Sequence, residues 1–219
     1  MRNIIINLLI GTTTLFPLGH TTANAAQDGL YLGLDAAYEE YDNSISVDGF
    51  ATNLSSFVKP KGVAAGFILG IRQSAGRFNM AIEGRYGYTL ADYNLGDATA
   101  LGFDKYKYEG GNSFSISILP GFHISNDLLI YSRLGYVRSQ YKEKFTQGIL
   151  ETTAGGYQGG LEYGVGFQYD LTGDFSLRAE YTRTDYKNTT ESVNINGVTF
   201  DTSSNFNRNK FMLGVILGL

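Results

Sequence analysis

The stretch GLEYGVGFQYDLTGDFSLRAEY, residues Gly160–Tyr181, decides the fold of this chain. On its first arm, apolar and aromatic residues alternate strictly with glycine and polar residues, and only a β-strand produces a period of two residues. The segment Leu171–Asp174 (LTGD) is a turn signal, and the alternation resumes at Phe175. The stretch therefore predicts an antiparallel hairpin with one apolar, aromatic face and one face of glycine and charged residues.

The volumes of the side chains on the two faces indicate which face points into the barrel. A closed barrel of about eight strands has an interior just wide enough for side chains to fill. Glycine and a few charged residues fit such an interior, whereas rows of Tyr and Phe do not. We therefore expect the apolar, aromatic face to contact lipid and the glycine and charged face to line the lumen, as in an outer-membrane barrel. A soluble lipocalin-like barrel with the opposite arrangement is the alternative fold.

The composition agrees with a single β-domain. The 219 residues include 28 Gly and 16 Tyr but neither Cys nor Trp, which is untypical of helical bundles. The absence of cysteine excludes disulfides and thiolate metal sites. No segment after the first 25 residues has the roughly eighteen continuous apolar residues of a membrane helix, so any crossing of a bilayer must use strands.

The N-terminal residues predict a targeting segment. Arg2 precedes a short apolar run, and Ala23–Ala25 (ANA) forms a small-x-small cleavage site. We interpret residues 1–25 as a secretory signal peptide and residues 26–219 as the barrel domain; a membrane anchor is the alternative. The signal peptide carries one Arg and no acid, so its removal changes the formal net charge from -4 to -5. This charge disfavours a nucleic-acid partner.

Eight alternating segments are separated in turn by long polar stretches and tight turns. An even strand number with long connections at one end is typical of bacterial outer-membrane barrels, whose termini are periplasmic and whose long loops are extracellular. The predicted fold class is all-β, an eight-stranded antiparallel up-and-down transmembrane β-barrel in the cell outer membrane. Pro120 cannot donate to a strand ladder, so a bulge or local break is expected there. The four polar stretches, interpreted as loops, are Asp42–Lys61, Ala91–Gly111, Lys142–Gln158 and Lys187–Arg208.

Two segments, Leu129–Tyr136 and Gly164–Tyr181, carry the most specific family resemblance. With the strand pattern around them, they resemble the small eight-stranded outer-membrane proteins, the OmpA-like and opacity-type barrels often called porin family proteins. The resemblance covers essentially the whole chain after residue 25. It implies insertion by the outer-membrane assembly machinery, although Leu219 stands where such barrels usually end in Phe or Trp. By analogy it also implies adhesion or host contact.

Eight charged residues share the inward parity. In a narrow lumen we expect opposite charges to pair, because an unpaired buried charge is heavily penalised. We interpret them as an ion-pair network that plugs the barrel and fixes strand register; a charge-lined pore for small solutes is the alternative. The residues are Asp35, Arg72, Glu83, Arg85, Arg133, Glu162, Arg178 and Glu180.

A second set of residues, on the outward parity near strand ends, suits a lipid interface. Tyrosine places its ring among acyl chains and its hydroxyl among headgroups, and arginine can meet the phosphates of lipopolysaccharide. Ordinary solvated arginines are the alternative. The residues are Tyr86, Tyr88, Tyr136, Arg138, Tyr163, Tyr181 and Arg183.

His123 is the one histidine after residue 25, which disfavours a zinc site and a Ser-His-Asp triad. The segment His123–Asn126 (HISN) resembles the His-x-Ser-Asn of lipid A deacylase barrels. Our strand placement puts it in a tight periplasmic turn, however, whereas lipid A lies in the outer leaflet. We therefore expect an exposed turn histidine, no cofactor and no enzymatic role, with a lipid A-modifying enzyme as the minor alternative.

The functional prediction is a monomeric barrel with a structural and surface-interaction role. Its partners are outer-membrane lipid and, through four extracellular loops, host or other surface ligands. The polar loops lack the aromatic or arginine clusters that would identify one ligand. A small-solute diffusion pore is the main alternative.

Overall fold

The computed structural model describes residues 28–48, 54–58, 61–90, 92–95, 105–147, 150–187, 189–195 and 198–219. The predicted signal peptide, residues 1–25, lies outside them. Within the described residues, no helix is long and apolar enough to span a bilayer. The strands are β1 (Gly29–Asp48), β2 (Leu54–Val58), β3 (Lys61–Ala75), β4 (Phe78–Thr89), β5 (Asp92–Leu95), β6 (Lys105–His123), β7 (Leu128–Gln147), β8 (Leu150–Asp170), β9 (Phe175–Tyr186), β10 (Thr189–Ile195) and β11 (Val198–Gly218).

Eight of these strands close into a barrel. In the order β1, β3, β4, β6, β7, β8, β9 and β11, each strand pairs antiparallel with the next, and β11 pairs with β1 to close the sheet. The three remaining described strands, β2, β5 and β10, pair with β1, β6 and β11 respectively. The predicted all-β, eight-stranded antiparallel barrel is therefore confirmed.

The register of the ladders fixes the width of the barrel. A path of paired residues that starts at Leu32 on β1 passes once around the barrel and returns to β1 at Asp42, ten residues further along. With eight strands, such a stagger corresponds to a strand tilt of about 40° and an interior that side chains can fill. The intermediate positions on this path are Leu69, Gly84, Ile116, Tyr136, Leu161, Asp185 and Asn207.

The two ends of the barrel differ. At one, which we call the turn end, β3 and β4 are joined by two residues, and Gly76 has a φ of 63°, a left-handed conformation that favours glycine. The other two connections at this end are residues 124–127 and 171–174. Hydrogen bonds from the amides of Ile124 and Leu171 close these turns at 2.9 Å each.

At the other end, which we call the extension end, strands continue beyond the barrel. The long strands β1 and β11 remain paired there, with β2 and β10 on their outer edges, and β5, β6, β7 and β8 form a second extension of the same sheet. The polar stretches interpreted as loops are thus largely strands. The apolar period could not reveal them, because both faces of these extensions carry polar residues.

A β-bulge lies in β6, where the register with β7 shifts between Gly110 and Ser113. The irregularity expected at Pro120 is milder. There the ladder of paired residues stops at Ile118 and resumes at Gly121 without a shift. On the extension side of the bulge, Lys107 pairs with Lys144. The one-residue shift means that odd-numbered residues of β6 point outward there, whereas even-numbered residues point outward in the barrel.

An apolar belt surrounds the barrel. Leu34, Ile82 and Leu134 are about half exposed and point outward, and aromatic residues border the belt at both ends. At the turn end, the rings of Phe78 and Phe122 contact each other edge to face at 5.4 Å. From Phe78 to Tyr88 along β4, a rise of about 3.3 Å per residue and the tilt give a belt about 25 Å tall. This is the height of the apolar band of outer-membrane barrels.

Candidate functional site: the charged interior

Charged side chains from seven of the barrel strands fill the interior. Five are carboxylates and six are cations, so the network is nearly neutral. Each residue is less than a tenth exposed, and several are completely buried. The set comprises Asp35, Glu39, Arg72, Glu83, Arg85, Arg133, Glu162, Arg178, Glu180, Arg208 and Lys210.

Eight of these residues are the ones that the sequence placed on the inward parity. The other three, Glu39, Arg208 and Lys210, were not among the site residues chosen from the sequence. Glu39 shares the parity of Asp35 and could have been included on that signal. Arg208 lies at the end of a stretch interpreted as a loop, so its parity was not considered.

Arg133 lies at the centre of the network. Its guanidinium forms an ion pair with Glu83, lies 2.7 Å from Glu180 through Nε, and donates to the hydroxyl of Ser117 at 3.1 Å. A third carboxylate, that of Glu162, lies 4.0 Å from Nη1. The planar guanidinium can satisfy several carboxylates at once, which a lysine ammonium cannot do with the same geometry.

Glu83 links this centre to the turn end. Its Oε2 accepts a hydrogen bond from Arg178 at 2.5 Å and one from the Tyr31 hydroxyl at 3.0 Å. Arg178 and Arg72 both donate to Oε1 of Gln168, at 3.3 and 2.7 Å. Gln168 therefore joins the two guanidinium groups, and its own amide donates to the carboxylate of Asp170 at 3.1 Å.

Aromatic rings support the cations at this level. The guanidinium of Arg72 lies 5.0 Å from the centre of the Tyr31 ring, and that of Arg178 lies 5.4 Å from the Tyr131 ring. Tyr131 also donates its hydroxyl to Glu180 at 2.7 Å. Cation–π contacts of this kind strengthen when the cation is removed from water.

Toward the extension end, two carboxylates hold two cations. Glu162 contacts Lys210 at 3.2 Å and Arg208 at 3.3 Å, and Glu39 contacts Arg208 at 3.3 Å. Glu39 also accepts hydrogen bonds from Tyr41 and Thr89, each at 2.8 Å. These contacts join β1, β4, β8 and β11 across the lumen.

Asp35 and Arg85 form a separate bidentate pair. Arg85 donates through Nε at 2.7 Å and through Nη2 at 2.5 Å to the two carboxylate oxygens of Asp35. This two-bond arrangement is the strongest geometry available to an arginine and a carboxylate. It holds β1 and β4 at a fixed register, although β3 lies between them.

An aromatic cluster lies at the extension end of the lumen. The ring of Phe206 lies 5.3 Å from that of Tyr41 and 5.4 Å from that of Tyr186. A cavity of about 10 Å³ borders this cluster and is also lined by Ser113 and Ser139. It has room for roughly one water molecule.

At the turn end, His123 is buried, with an exposed fraction of 5%, so the expectation of an exposed turn histidine is wrong. As the last residue of β6, His123 keeps the inward parity of that strand. Neither ring nitrogen has a hydrogen-bond partner in the described part of the chain, whereas Ser125 is exposed in the turn. The described residues also contain no group of three His, Asp or Glu side chains that could hold a metal ion.

The residues selected for a lipid interface lie on the outer side of the barrel. Tyr86, Tyr88 and Tyr136 are each about half exposed. The hydroxyl groups of the other two selected tyrosines are engaged by neighbouring side chains. The Tyr163 hydroxyl donates to Asp185 at 3.0 Å, and the Tyr181 hydroxyl donates to Asn209 at 3.1 Å. Of the two selected arginines, Arg183 donates to Asp185 at 3.0 Å, and the Arg138 guanidinium lies 4.9 Å from the centre of the Tyr157 ring.

The sequence matches a family model described as "Outer membrane protein beta-barrel domain" over residues 11–215. The chain belongs to this family. As a member of the outer-membrane barrel family, the protein is located in the outer membrane, and its apolar belt is the surface that contacts lipid. The sequence matches none of the curated proteins with which it was compared at a significant level.

Solved structures share the barrel fold. OprG from Pseudomonas aeruginosa is 11% identical, with a TM-score of 0.51 over 90% of this chain and 98% of its own. The outer membrane protease OmpT from Escherichia coli is 10% identical, with a TM-score of 0.50 over 88% and 97%. Neisserial surface protein A is 17% identical, with a TM-score of 0.47 over 87% and 97%. At these identities the likeness concerns the fold alone.

Proposed function

We propose that this outer-membrane barrel is a closed structural protein that acts as a monomer and presents its strand extensions to the surroundings of the cell. The observation that carries the proposal is the interlocked interior, in which one guanidinium, that of Arg133, contacts three carboxylates. Opening a channel for solutes would separate these buried charges, and each unpaired charge would be strongly penalised. The network therefore favours a plug over a pore.

The orientation follows from the general design of the family. Tight turns face the periplasm and long connections face outside in bacterial outer-membrane barrels. The turn end is accordingly periplasmic, and the two strand extensions of the other end project from the cell. Their sequences are rich in Asn, Ser, Thr, Asp and Gly, which suits contact with hydrated surfaces or host molecules.

The extensions are held partly by exposed charges. Glu109 on β6 lies 2.8 Å from Lys107 and 3.3 Å from Lys144 on β7. Hydrogen bonds from these two lysines hold the pKa of Glu109 below its usual value. Of the two contacts, the one between Glu109 and Lys144 joins β6 to β7.

The outward tyrosines and Arg138 support a role in anchoring the barrel at the lipid interface. Rings such as that of Tyr88 border the apolar belt, where amphipathic side chains are favoured. Insertion into the membrane is expected to use the outer-membrane assembly machinery.

Conductance in planar lipid bilayers tests the closed lumen. We expect refolded wild-type protein to give no steady channels, with an open porin in the same bilayer as the positive control. Glu83→Gln and Arg133→Ala are measured beside it. Steady wild-type channels whose ion selectivity changes in either variant would support the pore instead.

Cell adhesion tests the surface role. One variant replaces the β7–β8 extension, residues 142–156, by an Asn-Gly turn, and a second shortens the β1 and β11 extensions. We expect reduced attachment to host-cell or matrix-coated surfaces with unchanged heat-modifiable gel mobility, which reports the folded barrel. A third variant, Ser125→Ala at the turn end, is the matched control. Unchanged attachment in both extension variants would contradict the surface role.

An enzymatic role is tested through lipid A. The buried His123 and the exposed Ser125 do not form a nucleophile–base pair, so we expect identical lipid A from cells that express wild type or His123→Ala. Loss of an acyl chain with wild type alone would reverse this part of the proposal.

A further inference from the structure

A small polar pocket lies at the extension end of the lumen, next to the aromatic cluster. Its floor is buried and includes the rings of Tyr41, Tyr186 and Phe206, which lie 5.3 and 5.4 Å apart at their two contacts. Because the rim is partly exposed while the floor is buried, the pocket opens toward solvent at this end. We call it the mouth pocket. Its half-buried rim comprises Gly111, Ser139, Gln140, Tyr141 and Gln158.

The floor of the mouth pocket lies against the uppermost ion pairs of the interior. The hydroxyl groups of Tyr41 and Thr89 both donate to Glu39 at 2.8 Å, and the Arg208 guanidinium lies 5.8 Å from the centre of the Tyr186 ring. Among the described residues, those that line the pocket are all uncharged. A charged ligand would lose its water there without gaining a counter-ion from the lining. The pocket therefore selects neutral ligands.

The β-bulge in β6 forms the polar side of the pocket. The register with β7 shifts across Gly110–Ser113, so that two residues of β6 lie opposite Gln140 alone. Bulges of this kind change the direction in which side chains point. A Cβ on Gly111 would lie 3.2 Å from Oε1 of Gln140, so glycine at this position leaves room for the amide beside the pocket.

The rim has hydrogen-bonding capacity that the protein itself does not use. In the part of the chain that the structure describes, the Gln140 amide has no hydrogen-bond partner. The Gln158 amide uses only its nitrogen, which donates to the carbonyl of Lys187 at 3.2 Å. Nearby, the hydroxyl groups of Ser139 and Tyr186 share one hydrogen bond of 2.9 Å. Since amides donate through nitrogen and accept through oxygen, a ligand hydroxyl placed here can donate and accept at once.

The size of the pocket limits which part of a ligand can enter. The enclosed volume of about 10 Å³ holds roughly one water molecule, and so also one hydroxyl group of a larger molecule. The remainder of such a molecule rests on the rim, where the half-buried Tyr141 provides an aromatic ring. The C–H groups of a sugar ring carry partial positive charge and pack favourably on the negative face of an aromatic ring.

We propose that the mouth pocket binds an uncharged sugar residue through its hydroxymethyl arm. The hydroxyl of the arm enters the enclosed volume and bonds to the amides of Gln140 and Gln158, while the sugar ring packs against Tyr141. A hydroxyl that reproduces the hydrogen bonds of a water molecule can occupy its place at little cost. This inference rests on the surface role proposed above, and it names neutral glycans as the class of ligand.

Saturation-transfer NMR on the purified full chain tests the pocket. The protein is refolded in a phosphocholine detergent, because detergents with sugar headgroups would compete. The probes are the methyl glycosides of glucose, galactose, mannose and N-acetylglucosamine, each beside its 6-deoxy analogue and its 6-phosphate. We expect at least one glycoside to bind, with the strongest saturation at its C6 protons. The 6-deoxy analogue should bind about tenfold more weakly, because it leaves the amides unpaired, and the 6-phosphate should not bind.

Variants of the rim connect this binding to the pocket. Gln140→Leu keeps the side-chain volume but removes the amide, so it should weaken binding of the glycoside by about tenfold and reduce its preference over the 6-deoxy analogue. Gln158→Leu repeats the test from β8. Gln73→Leu, at an exposed glutamine of the turn end, is the matched control and should bind as the wild type does. Heat-modifiable gel mobility confirms that each variant is a folded barrel.

Three results would overturn the proposal. They are no binding by any of the four glycosides, equal binding of the 6-deoxy or 6-phosphate forms, and unchanged binding in both rim variants. The assay uses no cells, whereas the adhesion assay removes strand extensions beyond the rim. A failure of sugar binding together with reduced attachment of the extension variants would therefore remove the pocket and leave the surface role standing.

Discussion

The interior and the outer face of the barrel use the same residue types in opposite ways. On β7, Arg133 is completely buried among carboxylates, whereas Arg138, five residues further along and of opposite parity, is exposed. The two arginines lie on opposite sides of the same strand, Arg138 nearer the extension end. The comparison teaches that the face of the sheet determines the environment of a charged side chain. A cation that points into the lumen must be paired, whereas one that points outward can contact lipid.

The largest effect is expected from the buried side of that comparison. Arg133→Met leaves Glu83 and Glu180 buried without their main cation, which should lower the free energy of unfolding by about 3–5 kcal/mol. The measurement is urea unfolding in phospholipid vesicles. Arg138→Met on the same strand is the matched control and should change stability far less. Equal losses in the two variants would show that parity is not what distinguishes them.

A charge placed on the lipid face should come next. Leu134 points outward near the middle of the apolar belt, and Leu134→Arg should lower the free energy of unfolding by about 2–4 kcal/mol. Tyr88→Arg, at the border of the belt, should lower it by only about 0–1 kcal/mol. The same vesicle assay checks both. A soluble barrel would tolerate both substitutions, and that outcome would remove the membrane assignment of this face.

Substitution of one inward and one outward glycine compares how tightly the interior and the outer face of the barrel are packed. Gly70 points inward, and a Cβ there would collide with the Tyr31 ring, which donates to Glu83. Gly70→Ala should therefore lower the free energy of unfolding by about 1–3 kcal/mol through overpacking. Gly84 points outward with nothing closer than 3.9 Å, so Gly84→Ala should be neutral or slightly stabilising. If Gly70→Ala were also neutral, the interior would be looser than the contacts indicate.

The smallest effect concerns an exposed ion pair. Arg183 and Asp185 lie 3.0 Å apart, but their side chains are 40% and 46% exposed. Arg183→Ala should change the free energy of unfolding by no more than about 1 kcal/mol, since such pairs contribute little in water. Added salt should reduce even this difference. A loss comparable to that of Arg133→Met would mean that this pair is shielded from water by lipid.

The sequence also left identifiable errors. Glu39 shares the inward parity of Asp35 and could have been selected on that signal. Arg208 and Lys187 could not, because they fell in stretches interpreted as loops. Those stretches carry no apolar period, and their strands are recognisable only because neighbouring strands continue to pair with them. The bulge between Gly110 and Ser113 has no proline to announce it, whereas Pro120 disturbs the ladder without shifting it.

The sequence by itself determined the class and the sidedness of this protein. A two-residue period, a shortage of long charged side chains and the alternation of long and short connections suffice for an eight-stranded outer-membrane barrel, because these features are local. Only the tertiary structure decided which charges meet. Arg178 and Glu83 are 95 residues apart in sequence, and their contact depends on the closure of β11 on β1 with a stagger of ten residues. No local pattern encodes that stagger, so the pairing of charges in the interior became visible only in the folded barrel.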